Sequence, residues 1–235
     1  MKANQIKIIE KQVAKFRSDY GLVSADAIYL KSFLIRLNVL TIFRPLSEKF
    51  SGMSLKDSSS HCFMLINSNH PKGRQHFTIA HELYHLFVEL NPKPHKCITE
   101  DGKKDQAEQN ADMFASIFLM PEEGIYKMLS DEEISKHEVK LSSIIRLEHY
   151  FSVSRAALLN RLCDLSLIDK STKDTLSKFY VIKTAEEYGY DTALYKPGNE
   201  NLCIGDFGEK AHTLFEMEKI SEGHYIELLN KLSYK

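Results

Sequence analysis

The sequence lacks a long hydrophobic run, a marked excess of either charge and closely spaced cysteines. No stretch reaches the ~20 apolar residues that a helix needs to cross a bilayer, so we expect no membrane span. The N-terminal segment is interrupted by lysines and does not resemble a secretory signal peptide. These absences predict a soluble, cytoplasmic protein with no membrane partner.

The cysteine spacing argues against a disulfide-bonded protein, and the charge balance argues against a nucleic-acid binder. The four cysteines form no Cys-x-x-Cys pair, and their wide spacing favours reduced thiols over disulfides; they are Cys62, Cys97, Cys163 and Cys203. Lys and Arg number 31 and Asp and Glu 32, which gives a formal net charge of -1. Dedicated nucleic-acid binders usually carry a basic excess, so direct DNA binding is not expected.

What is present is enough apolar sequence for a real core, with 43% hydrophobic residues in a chain of 235. Apolar residues at helical spacing predict a helix over 1–20 and a second over Ala25–Arg36, with Ser24 as its N-cap. The pattern is strand-like over about 37–67, and short apolar runs predict strands at Val39–Phe43 and Cys62–Ile66, separated by a Ser- and Gly-containing segment.

The next part of the chain is predicted to be mostly helical. A helix over about 75–90 is followed by a Pro- and Gly-containing loop over 91–106 and a helix from 107 to Met120, before a proline. Residues 122–168 read as amphipathic helices, and a hairpin is predicted at 194–205.

The run His81-Glu82-Leu83-Tyr84-His85 carries the chemistry. On a helix, His81 and His85 lie one turn apart on one face and can share a metal ion, with zinc expected. Glu82 lies about 100° round the helix from His81 and can act as general base on a water activated by the metal. The alternative is a chance match, but an apolar opposite face argues against it: Ile79, Leu83, Leu86, Phe87 and Leu90.

A catalytic zinc usually has three protein ligands. The downstream candidates for the third are Glu89, His95, Cys97, Glu100, Asp101, Asp105, Glu108 and Asp112. Glu108 is preferred because it shares a helical stripe with Ala111, Ala115 and Leu119, where a buried carboxylate needs a partner. Asp112, one turn further, either orients a ligand imidazole or is an ordinary helix-edge charge, and His95 and Cys97 are expected to be loop residues.

Two linked motifs, RQHFTIAHELYHLF (74–87) and AEQNADMFASIFLMP (107–121), resemble the bacterial ImmA/IrrE metallopeptidases, as does the preceding CFMLINSNHPKG. The resemblance implies His81, His85 and Glu108 as zinc ligands, with manganese as the alternative metal, and Glu82 as general base. It implies an α+β fold: a zincin-like core over 1–121 with a small mixed sheet, a helical helix-turn-helix-like region over 122–168, and a C-terminal extension over 169–235 that serves partner recognition.

The resemblance also implies a substrate, namely a helix-turn-helix transcriptional regulator encoded nearby, whose cleavage relieves repression. The alternative is a metal-binding regulator that sequesters such a partner without cutting it, although a non-catalytic binder does not need Glu82. The strand CFMLIN (62–67) is expected to be a sheet edge, either for a substrate strand or as a purely structural edge.

Several roles stay open at this stage. Tyr84 replaces the glycine of many family members and is expected to be a helix-surface residue, with a place in the cleft as the alternative. Tyr84, His149 and Tyr150 are candidates for stabilising the oxyanion, while Arg74 either binds substrate or pairs with an acid. In the helix-turn-helix-like segment, Ser154 is the expected N-cap, and three arginines serve packing and partner docking in preference to phosphate contacts: Arg146, Arg155 and Arg161.

Overall fold

A computed structural model of the chain describes residues 3–90, 95–98 and 105–233, with the backbone alone for 3, 95–98 and 231–233. The fold is mixed α+β. The strands are β1 (Val39–Arg44), β2 (Phe50–Lys56), β3 (Cys62–Asn67), β4 (His95–Ile98) and β5 (Cys203–Ile204). The helices are α1 (Ala3–Asp19), α2 (Leu30–Arg36), α3 (Lys72–Phe87), α4 (Gln106–Leu119), α5 (Glu122–Met128), α6 (Asp131–Lys136), α7 (Leu141–Phe151), α8 (Arg155–Asp164), α9 (Lys170–Ser177), α10 (Val181–Glu187), α11 (Phe207–Glu216) and α12 (Glu222–Ser233).

The strands form one small mixed sheet in the order β4-β2-β3-β1-β5, as predicted for the fold class. β1 and β3 are parallel, and the other neighbouring strands are antiparallel. β3 is therefore central, and the prediction that CFMLIN is a sheet edge is wrong. Both sides of β3 already pair with neighbours, so it has no free edge to offer a substrate strand.

The sheet contains two strands that were not predicted. β2 lies in the segment between the two predicted strands, and β4 lies within the predicted loop over 91–106, whose remaining residues are mostly outside the described part of the chain. The predicted hairpin at 194–205 is also wrong, because β5 pairs with β1. The pairings of β4 with β2 and of β5 with β1 join segments far apart in sequence, which local patterns do not reveal.

The second helix begins five residues later than predicted, and Ser24 does not cap it. Its hydroxyl donates to Glu123, while the buried Arg17 donates to the carbonyls of Val23 and Asp26, each at 2.5 Å. These backbone acceptors are held by a side chain, so the segment is ordered without being helical. α2 starts at Leu30.

An aromatic cluster fixes α1 and α4 against the centre of the molecule. The Phe16 ring lies 5.6 Å from Phe114, 5.5 Å from Phe118 and 6.0 Å from Phe33, all three at steep angles. Such edge-on pairs contribute beyond the area that they bury. α4 is thereby held with its opposite side against α3, where the candidate site lies.

None of the helices in the described ranges has the length and apolar character needed to span a membrane.

Candidate metal site

α3 places His81, Glu82 and His85 on one side of its last two turns, and all three side chains are buried. Leu83 and Ile79, on the opposite side, are buried in the main core as predicted. Leu90 is an exception at 89% exposed, because α3 ends at Phe87. The helix is thus covered on both faces, and a partner must satisfy the histidines and the glutamate.

The partner that both histidines share is Glu108 in the first turn of α4. Asp105 caps this helix by accepting from the Glu108 amide at 2.9 Å, which fixes where the Glu108 side chain leaves the helix. On the same stripe, Ala111 and Ala115 are fully buried, and their small side chains allow the helices to approach closely. The inward position predicted for Glu108 is confirmed.

The three side chains meet at one point. The Nε2 atoms of His81 and His85 lie 3.2 Å apart, and each lies 3.4 Å from an oxygen of Glu108. Ligand atoms bonded at 2.0–2.1 Å to a tetrahedral ion lie about 3.3 Å from one another. The cluster of His81, His85 and Glu108 could therefore hold a metal ion.

Two further carboxylates contact the other ring nitrogens. Asp112 Oδ1 lies 3.0 Å from His81 Nδ1, and Glu89 Oε2 lies 2.7 Å from His85 Nδ1. When each Nδ1–H donates to its carboxylate, each Nε2 presents its lone pair to the cluster. The contact of Asp112 is the one expected of an orienting acceptor. Glu89 was considered only as a third ligand, although its spacing of four residues from His85 is the signal for this contact.

The charge balance around the imidazoles favours a cation. Burial lowers the pKa of His81, but the acceptors Asp112 and Glu108 and the charge of Glu82 outweigh it and raise the pKa to about 9. His85 behaves alike: burial opposes, and Glu108 and Glu89 raise its pKa. Without a metal, these carboxylates attract a proton to the histidines, and a divalent ion would take its place.

Other residues were considered for metal ligation, substrate binding or oxyanion stabilisation, and none of those that the structure describes is part of the metal cluster. Tyr84 is buried against the Phe114 ring at 5.7 Å, so the helix-surface prediction is wrong because α4 covers that face. Arg74 contacts the Ser51 hydroxyl at 3.2 Å. His95 and Cys97 lie in β4 with only their backbone described, and Glu100 and Asp101 lie outside the described residues.

The two other oxyanion candidates have partners away from the cluster. His149 Nε2 lies 3.2 Å from the Tyr195 hydroxyl, and its ring packs against Tyr190. Tyr150 is partly exposed and packs against Phe151. The described contacts thus give neither of them a link to the metal cluster.

The helix-turn-helix-like segment contains α7 and α8, and Ser154 caps α8 as predicted by accepting from the Ala157 amide. Its arginines are engaged within the chain. Arg155 forms a buried ion pair with Glu148, and Arg146 and Arg161 donate to the carbonyls of Met128 and Met120. Whether the segment is a true helix-turn-helix stays a prediction.

A helix carrying His-Glu-x-x-His, completed by a glutamate from a neighbouring helix, is the arrangement of a metallopeptidase. The comparison with protein families agrees with this class. The family model of the IrrE N-terminal-like domain, peptidase family M78, matches residues 35–163, more than half of the chain, and the chain belongs to this family. The match covers the whole cluster and confirms the resemblance drawn from the two motifs. None of the curated proteins compared matches the chain.

Proposed function

We propose that the protein is a zinc-dependent endopeptidase that cleaves a helix-turn-helix transcriptional regulator in the cytoplasm and so relieves repression. The observation that carries the proposal is the convergence of two imidazole Nε2 atoms and the Glu108 carboxylate, with Glu82 buried beside them. Membership of a metallopeptidase family supports the reaction class. The regulator as substrate rests on the resemblance of the motifs alone.

The donor set favours zinc. Two imidazoles and one carboxylate form the ligand set of well-known catalytic zinc sites, and the spacings of 3.2–3.4 Å suit short bonds. Magnesium and calcium prefer oxygen ligands and higher coordination numbers. Manganese is the alternative metal to be tested.

Glu82 is the proposed general base. When bound, zinc polarises a carbonyl oxygen and lowers the pKa of water towards neutrality. The Glu82 carboxylate follows His81 directly, and its charge acts on both His81 and His85, so it borders the same space. It can take a proton from the attacking water and pass it to the leaving amine. Asp112 and Glu89 hold the two imidazoles in the orientation that this arrangement needs.

The test is cleavage of the neighbouring regulator by the purified chain with zinc or manganese. Changing Glu82→Gln removes the base but no proposed ligand, so metal content stays and the cleavage rate falls about 10²–10⁴-fold. The matched control is Glu138→Gln, which makes the same change at an exposed position and leaves the rate unaltered.

Two outcomes would count against the proposal. Cleavage by Glu82→Gln at the parental rate rejects Glu82 as the base. A stable complex with the regulator, uncut with either metal, rejects the peptidase and favours the sequestering regulator.

A further inference from the structure

A cavity of about 760 Å³ lies between α4 and α8, with α1 and α9 at its sides and the first turns of α3 at one end. This volume falls within the range of roughly 300–1,000 Å³ that small-molecule sites occupy. Its apolar lining includes Phe77, Met113, Ile117 and Ala157. Neither the proposed catalysis nor the packing of the core accounts for it.

Arg161 borders this cavity although its side chain is only 5% exposed. Its Nε donates to the Met120 carbonyl at 3.1 Å, and within the described ranges it makes no ion pair. The other buried arginines make more hydrogen bonds: Arg155 pairs with Glu148, and Arg17 donates to three carbonyls. A buried guanidinium without an ion-pair partner is costly, and an anion in the cavity would offset that cost.

The rim of the cavity adds further cations. Lys170 and Lys173 of α9 line it near the end of α8, and Arg74 lines it at the end towards α3. The acids in the lining are Glu10, Asp164 and Asp112. Asp112 is engaged by His81, while the charges of Asp164 and Glu10 act on Arg161 from the same lining without forming an ion pair with it.

We propose that this cavity binds a small organic anion whose carboxylate meets Arg161 and Lys173 and whose apolar body lies against Met113 and Ile117. The site goes beyond the proposed peptidase activity, and its test does not depend on that activity. An arginine presents a planar fork that matches a carboxylate, and the apolar walls select against inorganic anions.

The site is separate from the metal cluster, but the two share a neighbouring residue, Asp112. Asp112 lines the cavity and contacts His81 Nδ1, whereas His81 Nε2 faces His85 and Glu108. The cavity therefore lies behind His81 as seen from the cluster. A ligand that contacts Asp112 acts on the group that orients a proposed zinc ligand, and such coupling between two sites is reciprocal.

The binding test is calorimetric titration of the full chain with octanoate, with octan-1-ol as the neutral probe of equal length. We expect octanoate to bind, and octan-1-ol to bind at least tenfold more weakly. Arg161→Gln weakens octanoate binding about 10-fold or more, because it removes a charge-assisted hydrogen bond. Arg36→Gln, the same change at an exposed arginine, leaves the affinity within about twofold, the margin expected of a distant surface site.

A second variant tests the same cavity without changing Arg161, in case Arg161→Gln does not fold. Ala157→Leu places a larger side chain in the apolar lining and leaves Arg161 in place, and it should weaken octanoate binding while thermal unfolding stays cooperative. Absence of saturable octanoate binding at millimolar concentration, equal affinity for octan-1-ol, or parental affinity in both variants overturns the proposal. Octanoate should also shift the zinc affinity of the parent chain, and an unchanged zinc affinity overturns the coupling through Asp112.

Discussion

The two imidazoles of the cluster are oriented in different ways. The acceptor of His85 is Glu89, four residues further along the chain, so this contact needs little beyond the end of α3 itself. The acceptor of His81 is Asp112 on α4, so it exists only when the two helices are packed. His81 is therefore the residue whose orientation depends on tertiary structure.

Replacing Asp112 tests this dependence. Asp112→Asn keeps the size of the side chain but weakens the acceptor for His81 Nδ1, and we expect zinc affinity to fall about 10–100-fold. Competition with a chromophoric chelator measures it, and Asp19→Asn on the surface of α1 is the control. An unchanged affinity would make Asp112 the ordinary helix-edge charge that the sequence also allowed.

The helical period explains which site residues could be predicted. His81, Glu82 and His85 follow from spacing along one helix, and the inward position of Glu108 follows from the alanines on its stripe. The roles of Asp112 and Tyr84 could not be decided, because both depend on how closely α3 and α4 approach, and no local pattern encodes that distance.

Among the helices, α6 and α7 are joined through one buried carboxylate. Glu133 accepts from the amide and hydroxyl of Ser130 at the start of α6 and from the amide of Lys140 before α7. Burial opposes ionisation, but these donors outweigh it and lower the pKa of Glu133 to about 2. One side chain therefore accepts hydrogen bonds at the N-terminal ends of two helices.

This pKa predicts a dependence of stability on pH. A lowered pKa in the folded state stabilises the protein above the ordinary value of 4.5, and the gain is lost as pH falls from 4.5 towards 2. Glu133→Gln should therefore cost about 2–3 kcal/mol of unfolding free energy at neutral pH and less at low pH. Urea unfolding at pH 7 and pH 3 measures it, and an equal loss at both values contradicts the assignment.

The position of α3 depends on a close backbone contact at Gly73. A Cβ added there would lie 2.7 Å from the Ser154 nitrogen and 2.9 Å from the Val153 carbonyl carbon, so Gly73→Ala must push α3 away from the start of α8. We expect a loss of about 1–3 kcal/mol in thermal or urea unfolding. Gly223→Ala, in α12 with open space around it, should instead be neutral or stabilise by up to about 1 kcal/mol. Equal effects of the two changes would refute the contact.

Strands were harder to predict than helices for a physical reason. β1 and β3 are apolar runs and were found, whereas β2 contains Ser51, Gly52 and Ser54, which have little preference for strands. β2 forms because β3 and β4 pair with it on either side. Such pairing is a property of the assembled sheet, so the sequence of β2 alone did not predict a strand.

On the scale of the whole molecule, part of the C-terminal extension is built into the core. The Gly198 carbonyl accepts from Gln75 Nε2 at 2.9 Å, the Lys196 carbonyl accepts from the amide of Lys72 at 3.0 Å, and Asn199 donates to Gln75. β5 then completes the sheet beside β1. These contacts reach the first turns of the helix that carries the candidate site.

Two shortened chains test how far the core extends. A chain ending at Ile168 loses β5 and the contacts to Gln75, and we expect it to melt at least about 5 °C below the full chain by calorimetry. A chain ending at Asp206 keeps them and should melt close to the full chain. Equal melting of both shortened chains would instead support an independent extension over 169–235, as the predicted domain division has it.

The late position of β5 also has a consequence during synthesis. The family-matching region ends at residue 163, and the outer edge of β1 is paired only after residues 203–204 have been added. At roughly 5–20 residues per second, a ribosome needs about 2–8 s to add the intervening ~40 residues. For that interval the nascent chain presents an unpaired strand edge, the feature by which incomplete sheets aggregate or recruit chaperones.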